Sequence, residues 1–418
     1  MRLWTAVNVL SNAGTWMQMV AQNLLVLQLT GSAMMTGLSL SAQAAPGLLF
    51  GFLGGAIADK YPRRLVATVG QMALAAVAFV TASLAALDLL SVVVVMLLGV
   101  LSGVIATADG PACTLLGNEL VPREDVSSAI AVGSVASNVG RLAGTALAGV
   151  TVAAAGISAA YVANGVSFLL VAACIPFLRS ARRLDVVTVP GEAVEAASLA
   201  DSSEVGVKNG MRYLTRDGTL LALVAVGAIS NLLGRNYTMS MAALVTGPLQ
   251  ASASSYAQVG TALAAGGILG GILAGRLHSP RLGVVLLLAG TAAALQAVVG
   301  LSPVLLMVAL VAMAMAAAEG AMATTAQTML QTVPPEQLRG RVLGAWRTAS
   351  TGWGLAGPPA LGALLEVFGV RSGLVIGGAA TVLLLGGVRL LSLRRRRAEN
   401  ADVLPLPVRT GTPVPAAA

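Results

Sequence analysis

The sequence predicts an all-α integral membrane protein: twelve transmembrane helices in two pseudo-symmetric six-helix bundles. Three observations predict it. Hydrophobic residues make up 56% of the 418 and charged residues 10%, against about 25% charged in soluble domains. So little polar surface suits a chain whose solvent is lipid. Apolar runs recur, each long enough to cross ~30 Å of hydrocarbon as a helix. The chain also repeats itself. GGAIADKYPRR from Gly54 has a worn copy, GGILAGRLHSP, from Gly270; ELVPRED from Glu119 answers to QTVPPEQ from Gln331; LAG at Leu142 recurs at Leu355. The offsets are 216, 212 and 213 residues, so one unit is written twice.

The runs follow in order. The first, 4–28, carries Asn8, Asn12, Gln18 and Gln22. Each pair is four apart and shares a helix face, which in lipid is expected to look into a cavity. Trp16, Met17 and Met19 lie beside it. This run is long and polar-spotted, with no small-residue cleavage site, so it reads as a span and not as a cleaved leader. Runs 34–58 and 65–87 flank the GG cassette; 91–116 holds Asp109, 128–153 holds Arg141, and 157–178 completes a first bundle over 1–178. The longest polar gap, 179–217, is a cytoplasmic linker. Its first part, Asp185 to Ser203, has the acidic, small-residue composition of a disordered segment. Further on, Val207, Met211 and Leu214 fall at helical spacing beside Lys208, Arg212 and Arg216. That pattern predicts an amphipathic helix on the inner membrane surface, the alternative being a solvated linker.

The second bundle, 218–392, begins with run 219–247, which holds Asn231, Arg235, Asn236 and Tyr237. Runs 254–276 and 281–301 follow, then 303–330 with Glu319, 343–366 with Trp346 and Trp353, and 371–392. The tail, 393–418, is Pro- and Ala-rich beyond its arginines and reads as disordered and cytoplasmic. Backbone groups in hydrocarbon must pair within the segment, so these runs are helices, and no alternating pattern suggests a barrel.

Basic residues sort to one side. Even-numbered connections hold Lys60, Arg63 and Arg64, then Arg123, then Arg179 to Arg216, then Arg276 and Arg281, then Arg339 and Arg341. Odd-numbered connections hold only Arg371. The positive-inside rule places the even connections and both termini in the cytoplasm of a bacterial-type inner membrane. The net charge of +8 therefore speaks for topology and not for nucleic acid. Cys113 and Cys174 sit in apolar runs and His278 is the sole histidine, so neither a disulfide framework nor a metal site is expected. No G-x-x-x-x-G-K-[ST] loop, nucleophile constellation or cofactor motif occurs, which argues against an enzyme and against direct ATP use.

At these residues the chain resembles a known family. The twelve runs, their six-plus-six split and Gly55-x-x-x-Asp59-Lys60-x-x-Arg63-Arg64 after the second are similar to the major facilitator superfamily. SNAGTWMQ, Asp109-Gly-Pro-Ala, Asn138-x-x-Arg141-x-x-Gly144 and Leu338-Arg-Gly-Arg-Val resemble its enterobactin-exporter-like branch of bacterial efflux proteins. Pro62 and Thr145 depart from that pattern. The resemblance implies the major facilitator fold, export, and an inner-gate role for the Gly55 to Arg64 loop.

The residues themselves support such a latch. Asp59 suits a helix N-terminus of the other half, and Arg63 and Arg64 suit acids or lipid headgroups; loop anchoring alone does not require Asp59. Asp109, Arg141, Arg235 and Glu319 lie inside runs, where ionisable groups need a partner or a wet cavity. Asp109 is expected to pair with Arg141 or the loop arginines. Glu319 reads as a proton-coupling or substrate-binding residue, or as half of a fixed pair with Arg235. Asn231, Asn236 and Tyr237 join the span-one amides as cavity candidates. The function expected is proton-coupled export of a small organic molecule (a drug, siderophore or secondary metabolite) by a monomer. Uptake, facilitated diffusion and a non-transporting membrane sensor or scaffold are the alternatives.

Overall fold

The computed structural model describes residues 2–122, 125–178, 217–234, 236–276 and 281–402, and among them every regular element is helical. The first half holds α1 (Arg2–Thr30), α2 (Ala33–Lys60), α3 (Arg63–Ala86), α4 (Val92–Glu119) and α5 (Val126–Cys174). The second holds α6 (Gly218–Leu233), α7 (Tyr237–Thr246), α8 (Ala253–Gly275), α9 (Leu282–Leu301), α10 (Leu305–Thr332), α11 (Glu336–Phe368) and α12 (Val370–Asp402). The expected amphipathic helix at 207–216 and Arg235 lie outside the described residues. α12 runs on to Asp402, where the sequence predicts a disordered tail from 393. Leu, Arg, Ala and Glu are good helix formers, and they carry the helix on past its apolar stretch.

Eight segments among the described residues are long and apolar enough to cross a membrane. One, Val135–Phe177, spans 43 residues, roughly twice what a bilayer requires. Gly156 breaks it, at φ 79° and ψ 175°, in the gap predicted between 153 and 157. A side chain there would be strained. A second break was not predicted: the run 219–247 is two helices, α6 and α7, separated by Gly234 to Asn236. The carbonyls freed at this break are taken up by side-chain amides. Asn236 Nδ2 donates to the Asn231 carbonyl at 3.0 Å, and Gln296 Nε2 from α9 donates to that of Leu233 at 2.9 Å. Hydrocarbon tolerates a broken helix only with such replacements. Arg371, the exception in the charge map, caps a helix end: Nη1 donates to the Ser302 carbonyl, just past α9, at 2.9 Å.

The repeat in the sequence is a repeat in packing. α2 lies along α4, and α8 lies along α10. Gly54 leaves no room for a Cβ against the Thr107 carbonyl; its counterpart Gly270 leaves none against the Ala317 carbonyl. The doubled glycines thus set the same close helix contact in each half.

The halves meet along two repeat-related pairs, α2 with α11 and α5 with α8. α1, α2 and α11 are outside the eight apolar spans; they carry amides, hydroxyls and small residues toward other protein elements. Along α2 and α11 the backbones touch: Gly37 abuts the Pro358 carbonyl, Gly362 abuts Ala33, and Ser41 Oγ donates to the Leu355 carbonyl at 2.6 Å. Ser32 Oγ donates to Glu366 Oε2 at 2.6 Å at the end of this seam.

The core divides unevenly along the helix axes. One large cluster joins both halves, through Leu24, Val152, Met241, Tyr256 and Leu361 among others. It lies at the end away from Arg63, Arg64, Arg276 and Arg281. At the basic end each half keeps its own cluster: Trp4, Leu116 and Ile175 in the first, Leu223, Leu330 and Val342 in the second. Among the described residues the buried apolar core is therefore shared at one end and divided between the halves at the basic end. Substituting Gly37→Leu, which drives a side chain into the Pro358 backbone, should prise the seal apart. A cysteine placed at Leu40, with Cys113 and Cys174 replaced, should react with a membrane-impermeant maleimide at least fivefold faster from the sealed side in that variant.

Candidate functional site: a cavity between the halves

Between the halves lies a cavity of about 1520 Å³, lined by α1, α2, α3, α4, α5, α7, α8, α10 and α11. Glycines set its walls. Gly140 and Gly144 on α5 meet Asn12 and Ala13 of α1 with no room for a Cβ. This close contact places Arg141, between them, beside the next turn of α1. Its guanidinium lies over the Trp16 ring, 5.6 Å from the centroid, an attraction of about 1 kcal/mol. On the opposite wall, Gly320 of α10 sits on the Gly267 carbonyl of α8. A Cβ on Gly267 would in turn lie 3.5 Å from the Arg141 guanidinium. Glu319, 7% exposed, precedes Gly320 and lines the same cavity. The cavity therefore brings Arg141 of the first half and Glu319 of the second to either side of one glycine.

Of the span-one amides, Gln18 and Gln22 line the cavity, with Trp16 and Met19. Gln18 Oε1 accepts from Asn164 Nδ2 at 2.6 Å. Asn8 and Asn12 do not line it. Asn8 Nδ2 donates to the Trp4 carbonyl and Asn12 Nδ2 to the Asn8 carbonyl, each at 2.9 Å, and Asn12 Oδ1 accepts from Ser137 Oγ of α5. Their polarity is spent on their own helix and its neighbour. Asn236 and Tyr237, at the α6–α7 break, line the cavity. Asn231 does not: its amide donates to the Gly227 carbonyl at 2.8 Å, and it borders a smaller recess with Trp346 and Trp353. Sequence reasoning missed Gln43, Thr145 and Asn164, which also line the cavity. Each stands as a polar residue inside an apolar run, and that was the available signal.

Asp109 is 6% exposed and meets neither Arg141 nor the loop arginines. It accepts from Gln71 Nε2 at 2.8 Å and from Cys113 Sγ at 3.5 Å. Gly70 opens the space on α3 that its side chain fills. The helix positions explain the difference. Arg141 is drawn to Trp16, and Arg63 and Arg64 have partners nearer the membrane surface. Arg63 bonds Glu119 at the end of α4, and Arg64 donates to the Leu178 carbonyl at 2.8 Å. The Arg63–Glu119 side chains are about a third and a quarter exposed, so this pair contributes roughly 0.5–1 kcal/mol. Lys60 stands over the Tyr61 ring at 5.7 Å. These basic groups find their partners within the first half. The placements of Gly55 and of the Asp59 side chain lie outside the described residues.

The described residues contain no group of three or more His, Cys, Asp or Glu side chains placed to hold a metal ion. The site offers amides, hydroxyls, one aromatic–cation pair and a buried carboxyl around a large space, which suits binding and release.

Comparison with known proteins agrees with this geometry. The family described as transmembrane secretion effector matches residues 1–415. The enterobactin exporter EntS of Citrobacter koseri is 30% identical over 384 residues, covering 87% of this chain and 83% of that one. The MFS-type transporter YfiS of Bacillus subtilis is 25% identical, covering 91% and 90%. A bacterial homolog of the human lysosomal transporter Spinster, solved in an inward-facing and occupied conformation, shares the fold with a TM-score of 0.70 at 16% identity, covering 96% and 97%. A D-xylose–proton symporter gives 0.68 at 14%, covering 92% and 96%. By sequence and by fold, this chain is a membrane transporter of the major facilitator superfamily and belongs to its transmembrane secretion effector family.

Proposed function

We propose that the chain exports small organic molecules from the cytoplasm of a bacterial-type cell in exchange for protons, by alternating access through twelve crossings. The observation that carries this reading is the uneven core: one shared cluster seals one end while a cavity of about 1520 Å³ reaches toward the parted, basic end. If the basic end is cytoplasmic, as the positive-inside rule requires, this is the cytoplasm-open state. Both termini then lie inside, and the protein works as a monomer whose two halves rock about the cavity. The relatives named enterobactin exporters favour export and a bulky organic substrate. Gln18, Gln22, Asn236 and Tyr237 are the proposed substrate contacts, with the Trp16–Arg141 pair as one wall.

Glu319 is the proposed proton carrier. A carboxyl confined between the halves would meet opposite sides of the membrane in the two states, and Arg141 of the other half lines the same cavity. In proteoliposomes with an imposed pH gradient, the wild type should accumulate a substrate that Glu319→Gln does not. We expect pH-driven accumulation to fall at least tenfold in the variant while gradient-independent counterflow persists. Loss of both activities alike would instead assign Glu319 to substrate binding.

Gly55, Asp59, Lys60, Arg63 and Arg64 are the proposed inner latch, engaged when the basic ends close. In the parted state Arg63 and Arg64 hold partners of their own half, as a disengaged latch requires. The second copy of the cassette has Gly275 where the first has Asp59, so the proposed latch rests on the first half. Asp59→Asn should lower the transport rate at least tenfold, and Gly275→Ala less than twofold; equal effects in the same vesicle assay would remove the latch.

A further inference from the structure

We infer that the basic end of the α9–α12 pair binds an anionic phospholipid, whose headgroup phosphate sits among Arg281, Arg389 and Arg394. The inference rests on the chain lying in a membrane and not on export or proton coupling. The two helices pack along each other and run antiparallel. Gly300, near the end of α9, abuts the Arg371 carbonyl at the start of α12; Gly378, further along α12, abuts Ala293 and Ala297. The contact continues to the basic end, where Leu282 and Leu286 of α9 share a buried cluster with Leu385 and Val388 of α12.

Helical register places the cations. Gly378 marks the face of α12 turned to α9. Arg389 comes eleven residues later, three turns on, and falls on that face. It stands level with the first turn of α9, which Arg281 precedes. Arg394 lies about 8 Å further along the axis, where the apolar stretch of α12 ends and Arg395 to Arg397 continue the helix. Val382 and Leu393 share the face of Arg389, and both are exposed, as is Leu287 on α9. An apolar strip therefore ends in a cluster of arginines.

Arg281, Arg389 and Arg394 are exposed, and among the described residues no side chain bonds or pairs with theirs. The basic end of the first half differs. There Arg63 bonds Glu119, Arg64 serves the Leu178 carbonyl and Lys60 stands over Tyr61. Asp217, an acid at the basic end of the second half, spends its carboxylate on the Thr219 and Leu220 N–H groups that open α6. Three guanidinium groups at the edge of hydrocarbon are thus left for an anion that the bilayer supplies. Guanidinium N–H groups fork onto phosphate oxygens, and acyl chains suit the exposed Val382, Leu287 and Leu393. A zwitterionic headgroup carries its own ammonium beside the phosphate, which weakens the attraction, so the surface selects a lipid of net negative charge.

The test measures lipid binding alone. The purified full chain, delipidated in mild detergent, is titrated with dioleoyl phosphatidylglycerol or dioleoyl phosphatidylcholine, and retained lipid is read by native mass spectrometry. The melting temperature of each variant is checked. Wild type should hold phosphatidylglycerol at least tenfold more tightly than phosphatidylcholine. Arg281→Gln, Arg389→Gln and Arg394→Gln together should weaken phosphatidylglycerol binding at least tenfold, each charge near the surface being worth roughly fivefold. Arg389→Gln alone, which serves if the triple variant does not fold, should weaken it about fivefold. Lysine at the same three positions should keep binding within threefold of wild type, and Arg63→Gln within twofold. Excess inorganic phosphate should not displace the lipid. The proposal is overturned if wild type holds both lipids alike, if the glutamine variants bind as wild type does, if Arg63→Gln is the variant that loses the lipid, or if inorganic phosphate displaces it.

Discussion

Hydrocarbon offers the peptide backbone no hydrogen bonds, and this structure is ordered by that constraint. Every described regular element is a helix because a helix pairs its own backbone. Where the helices stop or break, something else supplies the bond. Asn236 and Gln296 serve the carbonyls at the α6–α7 break, and Arg371 serves the end of α9. Serine and threonine hydroxyls return to carbonyls three or four residues back along their own helices, as Thr81, Thr107 and Thr325 do. Gln18, Gln43, Asn164 and Asn236 are polar side chains that line the cavity.

The second ordering force is close packing through glycine. Lipid gives helices no hydrophobic reason to associate, so they associate by surface fit. Gly54 and Gly270 fix the same pair of helices in each half; Gly140 and Gly144 draw α5 against α1 and so aim Arg141 at Trp16. The site thus arises from glycine contacts that recur in both halves, differentiated by a few side chains. Arg141 belongs to one half and Glu319 to the other. Duplication made a scaffold, and divergence at those positions made a place where the halves differ.

How much of this could be read from the residues depends on the range of the interaction. Helices, their order and the two-fold repeat follow from local composition, and Gly156 falls where the runs imply a gap. The family resemblance rested on motifs that are themselves local. Contacts across helices were harder. Asp109 was expected near Arg141 because both are charged and buried, yet Gln71 on α3 and Cys113, one turn along α4, take its hydrogen bonds. The pairing turns on helix rotation and on the space left by Gly70, which hydropathy does not report. Asn8 and Asn12 shared the predicted polar face with Gln18 and Gln22, but shorter side chains reach their own backbone first. The break after α6 falls at Gly234, Arg235 and Asn236 within an otherwise apolar run, and the last two read in sequence as ion-pair and cavity candidates instead of a helix end.

The seam between α2 and α11 has a thermodynamic consequence. Gly37 against Pro358 and Gly362 against Ala33 are contacts of backbone on backbone, with no rotamers to free or to fix. Parting them changes side-chain entropy little. What parting does change is the hydration of the apolar cluster behind them, shared by both halves. Wetting apolar surface raises heat capacity. Opening of this seam therefore carries a positive heat-capacity change, and its cost bends with temperature instead of following a straight line.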